Sequence, residues 1–155
     1  MARFNVTVES AAALAADTAF GWLRPVAGVG FKLRRITVGI IAGAATPTSQ
    51  QIELGINRVT TAGATPGGAI AANKMDPNSA GAQAVFNTTY GTPPTLGTTD
   101  QVKVAFNSQS GADLPWEGVE ELVVAAGTTD GFAFINRANA LPASHKLVLS
   151  VEWEE

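Results

Sequence analysis

His145 is the only histidine in the 155-residue chain, and there is no cysteine. A serine hydrolase needs a nucleophile within reach of a histidine base, and Ser144 and Ser150 are the neighbouring serines. Adjacent residues on a strand face opposite ways, so Ser144 is badly placed for that role. His145 is therefore expected to be a surface residue at the start of a strand. One histidine without cysteine also excludes the common zinc sites, thiolate nucleophiles and disulfides. Four carboxylates, Asp113, Glu117, Glu120 and Glu121, lie around Trp116 in the stretch DLPWEGVEE. Paired carboxylates beside a tryptophan platform are the equipment of a glycosidase. Strand parity, however, puts Glu117 and Glu121 on one side and Glu120 on the other, which reads as a charged contact surface.

The other candidates carry less. Asp76, Asp100, Asp113 and Asp130 lack the D-x-D-x-D spacing of a calcium loop. The glycines of Thr61–Gly68 have no Gly-Lys-Ser/Thr and no helix after them, so they do not cradle phosphate. Arg34 and Arg35 could hold a phosphate or an acidic partner, but such a pair more often alternates across a strand. The residue types predict no enzyme and no cofactor.

The elements that must position these residues are strands. In Gln51–Val59, Ile52, Leu54 and Ile56 alternate with polar or small residues, the period of a strand with one dry face. In Phe31–Ile41 the apolar parity switches at Arg34-Arg35: Phe31 and Leu33 precede it, Ile36, Val38 and Ile40 follow. A bulge there keeps both sets facing inward. Arg3–Glu9, Gln101–Asn107, Gly131–Arg137 and His145–Trp153 alternate as well. Ala19–Val26 is a weaker strand, Ala69–Met75 a short one and Ala84–Tyr90 another, while Leu114–Ala126 holds Trp116, an acidic stretch and then Leu122, Val123 and Val124. Ser10–Asp17 and Ser79–Ala84 are candidates for a short helical turn, and Thr61–Gly68, Gly91–Asp100 and Ser108–Asp113 read as loops or turns.

About nine or ten strands with little helix, joined by Gly-, Pro- and Thr-rich loops, predict a single all-β domain over 1–155: an antiparallel, jelly-roll-like sandwich. Its expected core is Phe4, Val6, Ile36, Val38, Ile52, Leu54, Ile56, Val104, Phe106, Phe132, Phe134, Leu147, Leu149 and Val151. The first and last strands are expected to lie in the same sheet.

An apolar fraction of 46% with 15% charged residues describes a chain that folds. No apolar run approaches the ~20 residues of a membrane span, and MARFNVTVES lacks the basic-then-apolar order of a secretory signal. The net charge of −3 gives no general attraction to nucleic acid. Charge is divided along the chain, +4 over residues 1–75 and −7 over 76–155.

Three stretches, ELGINRVTTAG (Glu53–Gly63), ANKMDP (Ala72–Pro77) and LSVEWEE (Leu149–Glu155), resemble a family of short proteins from tailed-phage and prophage structural gene clusters. The resemblance implies a bacteriophage virion structural protein, foremost a head decoration (cement) protein that binds the major capsid protein. It places the protein on the capsid surface of the virion, assembled in the host cytoplasm. It brings no catalytic residues. Other minor head or tail proteins, and a carbohydrate- or partner-binding sandwich module, are the alternatives; a sugar module needs exposed aromatics, whereas most aromatics here follow inward parity. The divided charge and the long loops lead to the expectation of a homo-oligomer, foremost a homotrimer, docked on the shell. Asp113, Glu117, Glu120 and Glu121, with Trp116 as an apolar anchor, form one side of a protein contact, and Arg34, Arg35 and Arg58 the other.

Overall fold

The computed structural model describes residues 1–25, 28–43, 49–116, 121–126, 131–137 and 139–155. Among them are thirteen strands and no helix: β1 (Arg3–Glu9), β2 (Thr18–Arg24), β3 (Phe31–Ile41), β4 (Gln51–Thr61), β5 (Ala64–Ile70), β6 (Asn73–Lys74), β7 (Val85–Thr92), β8 (Thr95–Leu96), β9 (Val102–Asn107), β10 (Ala112–Pro115), β11 (Leu122–Val124), β12 (Phe132–Asn136) and β13 (Lys146–Glu154). Sheet I has the order β10-β3-β13-β1-β6, with β11 continuing along the β10 side of β3. Sheet II has the order β5-β7-β2-β12-β4, with β8 and β9 sharing the far edge of β4.

Four antiparallel pairs define the topology. β1 pairs with β13, β2 with β12, β3 with β10 and β4 with β9. Each early strand thus meets its counterpart counted back from the other end, which is a long hairpin rolled up so that alternate pairs fall in opposite sheets. This is the jelly roll. The β5–β7 ribbon is an addition at the edge of sheet II.

Between the sheets lie Phe4, Val6, Ile36, Val38, Ile52, Leu54, Ile56, Phe106, Phe132, Phe134, Leu147, Leu149 and Val151, all buried as alternation requires. Val104 is only partly buried, because β9 is at the edge of its sheet. The expected bulge is present: Glu152 of β13 faces Arg35 and Trp153 faces Leu33, leaving Arg34 as the extra residue. β12 is buried along its whole length. Phe132 and Phe134 face the main core, whereas Ala133 and Ile135 join Trp22 and Val59 in a second cluster on the other face, against which Tyr90 and Leu96 pack.

Several expectations need correction. Neither short helix forms. Ala13 and Asp17 sit at φ of 54° and 52°, which breaks a helical turn, and Ser10 is tied to Leu147 through its side chain. In 79–84, the N–H groups of Gln83 and Ala84 are taken by the Glu155 carboxylate. Thr61–Gly68, expected to be a loop, contributes most of β5. It pairs with β7 in one constant register, but all its residues are exposed or half-buried and Thr65 and Gly68 take positive φ, so no simple alternation marks the strand. β6 is shorter than the Ala69–Met75 strand expected, and Gly91–Asp100 contains β8. Part of the expected Ser108–Asp113 turn belongs to β10.

Candidate functional site

The bulge decides what the arginines of β3 do. With one residue added, Arg34 and Arg35 both escape the core, and each finds a carboxylate of its own chain. Arg35 Nε and Nη2 donate to Asp113 Oδ1 and Oδ2 at 2.8 and 2.6 Å, a bidentate pair, and Thr37 Oγ1 donates to Oδ1 at 3.2 Å. The β10–β3 register, with Asp113 facing Thr37, brings these groups together. Arg34 Nε donates to Glu154 Oε2 at 2.6 Å, and its Nη1 pairs with Glu121 Oε1. Lys32 Nζ lies 2.8 Å from Glu121 Oε2. Arg58 donates from Nη2 to Val123 O at 2.9 Å, with its guanidinium 5.1 Å from the Phe132 ring centre, a cation–π distance.

The residues expected on two sides of a contact between molecules are therefore brought together within one: Arg34 with Glu121, Arg35 with Asp113, and Arg58 with the main chain of β11. Trp116, expected as the apolar anchor of a contact, is buried in the main core, and its main-chain N–H donates to Arg34 O at 2.8 Å. Glu117 and Glu120 lie outside the described residues, as does Asp130.

Lys32 first, and Arg34 after it, hold the Glu121 carboxyl below the usual glutamate range. Arg35 holds that of Asp113 below the usual aspartate range. A general acid needs the reverse, a carboxyl kept protonated near neutrality. Both groups have folded-state pKa values below their unfolded ones, so their contribution to stability is full above the ordinary carboxylate range, about 4. It is lost as pH falls through the depressed values. The unfolding midpoint of the wild type is expected to hold steady down to about pH 5 and then fall. In Glu121→Gln/Asp113→Asn that acid slope should be shallower; equal slopes in denaturant titrations from pH 7 to 2 would remove these pairs as its cause.

A second polar cluster escaped sequence reasoning. On the outer face of sheet II, Arg137 Nε and Nη2 donate to Asp100 Oδ2 and Oδ1 at 2.8 and 2.6 Å. Asn57 Nδ2 donates to Asp100 Oδ1 at 2.9 Å and to Gly97 O at 3.0 Å. The Asp100 side chain is 3% exposed. Gly55 makes the arrangement fit: a Cβ there would stand 2.8 Å from both Arg137 Cγ and Asp100 Oδ2. The partners lie 37 residues apart in sequence, with no local signal linking them.

His145 is not at the surface. It is 2% exposed, its Nδ1–H donates to Ala143 O at 3.0 Å, and its carbonyl accepts from Ala13 N. That tautomer follows because a carbonyl can only accept.

Glu155 ties β13 to the 79–84 turn. Its carboxylate accepts from Gln83 N, Ala84 N and Trp153 Nε1 at 2.7–2.9 Å. Glu155→Ala is expected to cost about 2 kcal/mol, since bonds to a charged group are among the stronger ones. Urea unfolding followed by tryptophan fluorescence measures it, and an unchanged midpoint would show that water replaces the carboxylate without loss.

Comparison with family models, with curated proteins and with solved structures finds no match to this chain.

Proposed function

We propose that the protein is a bacteriophage virion structural protein, a capsid decoration protein that binds the head shell as a homotrimer and stabilises it. The observation that carries this reading is the resemblance of the three stretches named above. In the fold they are β4 with the bend that follows it, β6 with its turn, and β13. The last two lie on either side of one strand of sheet I: β6 and β13 flank β1, and Met75 N bonds to Arg3 O. A rolled sandwich supports such a role because it holds its loops and edges on a rigid frame.

The test is co-sedimentation of the purified protein with undecorated heads assembled from the major capsid protein encoded in the same gene cluster. Saturable binding that raises the temperature at which heads burst is the expected result. A protein that stays monomeric at all concentrations and ignores heads would sink the reading. Because Arg34, Arg35, Asp113 and Glu121 pair within the chain, raising salt is expected to change head binding only modestly: exposed pairs contribute ~0–1 kcal/mol each.

A further inference from the structure

The two edges of β1 have different fates. Ala2 and Glu155 exchange both backbone hydrogen bonds, and Ser10 N donates to Leu147 O, so the even-numbered residues of β1 bond to β13. The odd-numbered residues turn their N–H and C=O groups to the opposite edge. There Asn5 faces Asn73 of β6, and Arg3 O accepts from Met75 N. β6 goes no further. Among the described residues, no strand pairs with this edge at Thr7 and Glu9.

The open edge borders a groove of about 460 Å³. Buried Leu14 and Phe20 give it an apolar lining, and Thr88 and Thr89 of β7 line it from sheet II, past Asn87, where β7 parts from β2. We propose that this groove accepts one extended segment of a partner protein, added as a further strand on the edge of β1. Two donors and two acceptors repeating every second residue match an extended backbone. A helix has already used those groups on itself.

Charge narrows the occupant. Glu9 is the one charged residue lining the groove, and its only described partner is Lys146 at 3.0 Å on the strand behind. An acidic segment would set like charges side by side on neighbouring strands, so the segment that fits is basic or uncharged. Two edges of sheet II are guarded: β5 by Pro66 and β9 by Lys103. The inference deepens the partner-binding reading and rests on it only for the partner being a capsid subunit.

The probe is a synthetic eight-residue peptide of alternating valine and threonine flanked by lysines, compared with one flanked by glutamates. Hydrogen exchange is read residue by residue. In the free protein the amides of Thr7 and Glu9 should exchange fast while those of Val6 and Val8 are protected. Millimolar lysine-flanked peptide should slow Thr7 and Glu9 at least tenfold, and the glutamate-flanked peptide should bind at least fivefold more weakly. Ala11→Trp, at an exposed position lining the groove, should abolish the effect. Thr7→Pro, which removes an outward donor and no backbone bond of the β13 ladder, giving up only the Thr7 Oγ1–Ser150 Oγ bond, should do the same. Three results would overturn the proposal: no slowing at these amides, peptide binding that leaves them unchanged, or protection that grows with protein concentration alone, which would make a second copy the occupant. Failure of the wider reading is separable. Heads bound equally by wild type and Ala11→Trp would remove the groove as the contact, whereas peptide binding without head binding would keep the groove and remove the capsid.

Discussion

Phe134→Ala should lower the free energy of unfolding by about 3–5 kcal/mol, the cost of deleting a fully buried aromatic side chain. Phe134 is on β12, flanked by β2 and β4, with no exposure to solvent. Its ring stacks on Phe86 with centres 5.7 Å apart, at an interplanar angle of 18°. The opposite face of β12 is also packed, so the strand cannot shift inward to fill the space without pulling Ala133 and Ile135 out of the second cluster. Partial collapse is what normally softens such losses, and here it is opposed from both sides. Chemical denaturation measures the change. A loss below about 1 kcal/mol would mean that Phe86 and its neighbours repack freely, contrary to a close-packed interior.

Asp100→Ala is the second large effect, expected near 3 kcal/mol, the lower end of the range for breaking a buried pair. The variant leaves the Arg137 guanidinium over β4 without its bidentate partner and deprives Asn57 of one acceptor. Arg137 keeps some solvent and a contact with Asp17 at 3.2 Å, which limits the penalty. The double variant Asp100→Ala/Arg137→Ala should lose less than the sum of the single losses, because removing both partners leaves no stranded charge. Gly55→Ala acts on the same pair by displacement, so its cost should not add to that of Asp100→Ala. Full additivity among the three would show that they do not form a unit.

The strand frame was legible wherever one face of a strand is dry and the other wet. Ile52, Leu54 and Ile56 announce β4, and the parity switch at Arg34-Arg35 announces the bulge, because alternation is a local consequence of the pleat. β5 was not legible: every residue is exposed or half-exposed, so neither face is dry, and Thr65 and Gly68 take a φ foreign to a regular strand. β12 was legible as a strand, but what covers its second face was not. An apolar run such as Phe132–Ile135 says that both sides are covered without saying by what. The ion pairs depended on register. Asp113 reaches Arg35 only because Thr37 and not its neighbour faces it, and Asp100 reaches Arg137 only through the pairing of β4 with both β9 and β12. Charge counted along the chain suggested two surfaces attracting each other between molecules, whereas folding had already joined them. His145 looked like a surface residue because nothing in the sequence shows that the 10–17 segment packs against its main chain.

The rolled pairing of β1 with β13 also governs how fast this fold can form. Arg3 must find Glu154, so sheet I cannot be completed by any local hairpin; the middle strand β13 is synthesised after the other described strands and separates β1 from β3. Closing a loop of that length costs chain entropy before any long-range contact repays it, and folds built this way take milliseconds to seconds. On the ribosome, β1 and β3 must wait with unpaired edges until β13 emerges between them. The same insertion makes the finished sheet hard to open from one side: β13 cannot leave without breaking both of its ladders, so loss of sheet I is concerted, and unfolding should be slow for the same reason that folding is.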